Sequence, residues 1–136
     1  MGLFDFINKG NREPGWKSAL PREMADMLLA EIKSNPQACT SNEIPQGIGR
    51  FGLDKTNPIP IFGIPENENY LSKIRTTNGE RVRWRRIGSS EISNILKPID
   101  AYELFDAAGN TIAVFYLSPY HLITSNKAPD NFKISY

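Results

Sequence analysis

Residues 81–117 constrain this chain more than any other stretch. Arg81-Val82-Arg83-Trp84-Arg85 alternates charge with bulk at the two-residue period of a β-strand. Ile99 to Asp106 and Thr111 to Leu117 follow as two further strands. They flank Asp106-Ala107-Ala108-Gly109-Asn110, which places Gly109 where a type I turn with a bulge needs positive φ. Three antiparallel strands in the second half therefore define a sheet. Arg81, Arg83 and Arg85 should share one exposed face of it, and Val82 and Trp84 the other. Arg86 would break this alternation, so a bulge or the strand end is expected beside it.

The rest of the chain has to cover that sheet. At 136 residues it fits one domain, 1–136, and can bury roughly two thirds of its unfolded surface without a covalent staple. Residues 21–35 form the clearest helix. Pro21 suits its first position, Met24, Met27, Leu28 and Ile32 recur at helical spacing, and Asn35-Pro36 stops it. Residues 1–20 precede it as an N-terminal segment. There Leu3, Phe4, Phe6 and Ile7 are apolar enough to dock on the domain, and 9–19 read as a polar connector. Residues 36–65 hold five of the ten prolines and four of the ten glycines, and read as an ordered wrap laid on the surface of the core. Residues 66–75 read as a short helix. The rival reading is a hairpin about Asn78-Gly79. Residues 130–136 add an edge strand. The expected fold is α+β, with N-terminal helices packed on a mostly antiparallel sheet formed by the C-terminal half. Trp84, Leu104, Val114, Tyr116 and Leu28 are its expected core.

Charge and residue usage exclude several function classes. Sixteen basic and fifteen acidic residues leave a net charge of +1, too little to mark a general nucleic-acid or membrane binder. The balance is local: residues 73–86 carry Lys73, Arg75, Arg81, Arg83, Arg85 and Arg86 against Glu80 alone. Cys39 is the sole cysteine and His121 the sole histidine. That leaves no internal disulfide and no cysteine-based zinc site, and no metal or cofactor is expected. The start lacks a secretory signal and no apolar run spans a membrane, so a cytoplasmic location is expected.

Gly47-Ile48-Gly49-Arg50-Phe51-Gly52 matches the dinucleotide fingerprint but has neither the strand before it nor the helix after it, and is read as a turn. The arginine stripe fits phosphates or a partner's carboxylates. Its plainer explanation is cross-strand pairing with Glu80 and Glu103. Tyr120 and His121, just past the last long strand, complete the candidate binding set of Arg81, Arg83, Arg85, Tyr120 and His121. A lone histidine with no matched acid is expected to be structural, and Cys39 paired with His121 as a nucleophile has no local signature behind it.

The runs Thr56-Asn57-Pro58-Ile59-Pro60, Arg86-Ile87-Gly88-Ser89 and Tyr116-Leu117-Ser118-Pro119-Tyr120-His121, with Ala128-Pro129, resemble a set of small uncharacterised bacterial proteins of no assigned activity over roughly residues 50–132. The resemblance implies a toxin-neutralising, immunity-protein-like or other interaction role, and transfers no catalytic residue. The expected function is an intracellular protein-interaction module whose partner is another protein. The alternative is a small phosphodiester-active enzyme or RNA-binding protein using the Arg81/Arg83/Arg85 face with His121.

Overall fold

The computed structural model describes residues 13–136 and has an α+β architecture. The expected docking of Leu3–Ile7 lies outside the described residues. In chain order the elements are α1 (Trp16–Ala19), α2 (Arg22–Lys33), β1 (Ile59–Pro60), α3 (Glu66–Ser72), β2 (Ile74–Thr76), β3 (Arg83–Ile92), β4 (Ile95–Phe105), β5 (Thr111–Ser118) and β6 (Phe132–Ile134). One sheet has the order β1-β5-β4-β3, and β2 with β6 forms a second, two-stranded sheet. β3, β4 and β5 are antiparallel neighbours, whereas β1 runs parallel to β5. β3 and β4 extend further than the alternation suggested. They meet in a tight connection at Ser93-Asn94, with Ile92 opposite Ile95.

The core lies on the face of the sheet that carries Leu104 and Phe115. Ile59, Ile61, Leu71, Ile74, Leu104, Phe115 and Leu117 are wholly buried there, beside Tyr70, Val82 and Tyr102. Each such side chain contributes about 1.5–3 kcal/mol by leaving water. Trp84 and Leu28 pack only partly buried against the clusters they join. β5 corrects the expected core: Phe115 and Leu117 point inward, not Val114 and Tyr116. Tyr116 instead packs on a second cluster of Ile44, Ile95 and Ile99 on the opposite face. A strand apolar on both sides carries no alternation to tell one face from the other.

The helical end meets the sheet at its β1 edge. The buried stripe of α2 is Ala25, Leu28, Leu29 and Ile32, so the expected stripe is rotated and Met24 and Met27 are exposed. Residues 16–19, expected as connector, form the single turn α1. Its Trp16 Nε1 donates to the Phe62 carbonyl oxygen at 2.8 Å, and its ring meets Phe62 edge-on. Gly63, at φ +94°, passes directly under that indole: a Cβ there would lie 2.7 Å from the Trp16 ring. The proline-rich stretch does more than lie on the core. Ile59 and Ile61 are buried within it, and β1 joins the sheet as an edge, the position where a proline costs no ladder bond. After α3 the chain makes both features that the sequence set against each other. The helix ends at Ser72, and a turn through Gly79 (φ +83°) then brings Arg81 opposite Arg75.

Candidate functional site

The arginines lie at the β3 edge of the main sheet. Arg81, Arg83 and Arg85 are exposed, Val82 is buried and Trp84 half-buried, which is the alternation a regular strand imposes. Arg85 forms an ion pair with Glu103 across the β3–β4 ladder, and Glu103 also accepts from the Thr111 hydroxyl. These bonds hold the Glu103 carboxyl below its ordinary range. Among the described residues Arg81 and Arg83 have no ion-pair partner. Arg81 stands opposite Arg75 in an isolated antiparallel bridge. The Arg75 guanidinium is turned onto the Ser72 and Ile74 carbonyl oxygens, at 2.8 and 2.9 Å. The groove beside them is lined by Ser72, Arg81, Val82, Arg83 and Trp84.

Arg86 falls on the Trp84 face, and the register shift comes directly after it, between Arg86 and Gly88. That placement creates a polar cluster the sequence reading missed. Arg86 Nη2 bonds Asp100 Oδ1 at 2.9 Å, and Asn67 Nδ2 bonds Asp100 Oδ2 at 3.0 Å. Tyr102, whose hydroxyl is pushed up by burial, lies against the same Asn67 amide. A carboxylate in an otherwise apolar strand, two residues before the inward Tyr102 and four before Leu104, was the available signal: Asp100 shares their face.

Tyr120 and His121 lie elsewhere. Glu103 stands opposite Val114 in β5, and Val114 is about 13 Å along that strand from Ser118, where the histidine is anchored. His121 is 1% exposed. Its Nδ1 accepts the Cys39 backbone N–H at 3.1 Å, which leaves the ring proton on Nε2, 3.1 Å from Ser118 Oγ. Backbone bonds from His121 N to Ile61 O and from Leu122 N to Cys39 O complete a clasp between the wrap and the end of β5. Burial pushes the imidazole down to about 4, so it is neutral at physiological pH. The Cys39 thiol faces the Ser41 carbonyl, not the imidazole. Tyr120 is half-buried, with Lys97 over its ring, and its carbonyl takes a bond from Asn35. The five candidate residues therefore form two groups, an arginine edge and a buried clasp.

The glycine-rich run folds as successive turns, with Gly49 and Gly52 at positive φ. Four of its six amides are bonded within the loop: Gly47 N–H to Ile44 O, Ile48 N–H to Thr56 O, Arg50 N–H to Asp54 Oδ2 and Gly52 N–H to Asn57 O. Asp54 thus occupies the concavity that a phosphate would need. Among the described residues no group of three or more histidine, cysteine or acidic side chains is arranged to hold a metal ion, and no helix is long and apolar enough to cross a membrane. Comparison with family models, with curated proteins and with solved structures finds no match.

Proposed function

We propose that this chain is an intracellular interaction module that binds another protein through the arginine edge of its sheet. One observation carries the reading: Arg81 and Arg83 are exposed at the start of an edge strand without counter-charges among the described residues. Unpaired cationic side chains along an edge offer an anionic partner complementary charge, which favours encounter and fixes register. The separation of the arginines from His121 favours binding over phosphodiester chemistry, which would draw both to one concave site. A single free cysteine suits a reducing compartment such as the cytoplasm.

The test is affinity capture from the native host with the wild-type chain and with Arg83→Glu, both checked for folding by circular dichroism. A specific protein captured by wild type should be lost or weakened at least tenfold by the charge reversal. Equal capture by both would remove the arginine edge from the interface. Capture dominated by RNA would favour the nucleic-acid alternative.

A further inference from the structure

The partner's contribution can be specified from the geometry of the edge, resting on the reading above. We infer that the occupant is an extended acidic segment of the partner protein that adds to the main sheet as a new strand beside β3, pairing over residues 82–86. β3 is the last strand on its side of the sheet, and among the described residues no other strand pairs with its outer side, while Arg81, just before it, is bridged to Arg75. The alternate amides and carbonyls there offer a row of donors and acceptors that another polypeptide backbone matches.

Side-chain spacing sets the chemistry of the occupant. Arg81, Arg83 and Arg85 recur every second residue, about 7 Å apart, the period at which an added strand presents residues to the same face. Neighbouring side chains on paired strands approach within about 5 Å, so acidic residues at alternate positions would each meet a guanidinium. On the other face Val82 and the half-buried Trp84 call for small or β-branched apolar residues between the acids. The register shift after Arg86 bends β3 at Gly88 (φ +148°), which sets the far limit of regular pairing. A second copy is disfavoured because pairing the arginine stretch with itself adds like charges. RNA is disfavoured because the aromatic ring within the stretch is half-buried rather than open for base stacking.

The rival explanation of the same arginines is a guard that keeps the edge unpaired. Selection of displayed random 12-residue peptides against the full-length chain separates the two. Strand addition predicts enrichment of peptides with acidic residues at every second position and β-branched residues between them. A synthetic peptide of the enriched sequence should then bind at least tenfold more weakly to Arg83→Glu, and should protect alternate amides within 82–86 from hydrogen exchange. N-methylating the amides on one edge of that peptide should abolish binding, while methylating those on the other edge should leave it. Failure to enrich acidic peptides, protection at another surface, or equal tolerance of both methylation patterns would overturn the inference. So would a dimer in sedimentation that Arg83→Glu dissociates, or displacement of β3-bound peptide by a single-stranded RNA oligomer only. Strand addition alone fails if host capture depends on Arg83 while the peptide results are negative. If capture is also indifferent to Arg83, the interaction reading falls with it.

Discussion

The two ends of the main sheet solve opposite electrostatic problems. At the Ser118 end the one histidine is buried and uncharged, and both its ring nitrogens have hydrogen-bond partners. At the Arg83 end several full charges stand in water, and Arg81 and Arg83 have no ion-pair partner among the described residues. Burial makes a polar group expensive to leave unpaired, so the clasp is complete. Exposure lets water and salt screen an unpaired charge, so the edge can remain unbalanced at little cost. Stability should therefore depend on the clasp and binding on the arginine edge.

The largest effect is expected at the clasp. His121→Ala leaves the Cys39 N–H and the Ser118 hydroxyl without partners and opens a cavity, and should cost about 3–4 kcal/mol in urea unfolding. Acid tests the same bonds without mutation. The imidazole titrates near 4 when folded and near its ordinary 6.5 when unfolded, so the unfolded chain binds the extra proton between those values. The clasp's contribution is full above pH 6.5 and is lost as pH falls towards 4, by at most about 3 kcal/mol. A protonated Nδ1 could no longer accept the Cys39 N–H. His121→Gln should flatten this part of the stability profile. An unchanged profile would show that the ring is not buried neutral, and would break the contrast between the ends.

Gly63→Ala should cost about 2–3 kcal/mol, since the residue combines a left-handed backbone with the Trp16 ring directly above it. Gly79 has a similar φ but open space around it, and its alanine variant should lose only about 1 kcal/mol. Equal losses at the two positions would mean that the Trp16–Phe62 contact carries little of the helical end's attachment.

Legibility in the sequence followed the range of the contacts. Arg81 to Arg86 was readable because its alternation is local and one face is wet. β5 was readable as a strand but not in its facing, since Tyr116 and Phe115 both find apolar surroundings on their own sides. The clasp joins residues 82 apart, and the Trp16 anchor joins residues 46 apart, with the one histidine and one of the two tryptophans as the only traces. No periodicity records such pairings. Asp100 left a local signal that went unread: a charge at an inward strand position announces a partner, although it does not say that Asn67 and Arg86 supply it. β2 and β6 are three residues each and take their pairing from the fold around them.

The smallest expected change in stability is the sharpest test of the comparison. Arg81 stands opposite Arg75 and makes no ion pair among the described residues. Arg81→Thr removes an unpaired charge and places a good strand former in an exposed position. It should leave stability unchanged or raise it by ~0.3 kcal/mol. The same substitution removes one of the two guanidiniums, Arg81 and Arg83, without an ion-pair partner among the described residues, so it should weaken partner or selected-peptide binding several-fold. That loss should shrink as salt rises and screens the exposed charges. Thermal unfolding and a salt series of binding isotherms measure the two quantities on one variant. Opposite signs would show an edge kept for recognition at a small expense in stability. A drop in stability with binding intact would show instead that Arg81 serves the fold, and the two ends of the sheet would no longer divide the work as their chemistry suggests.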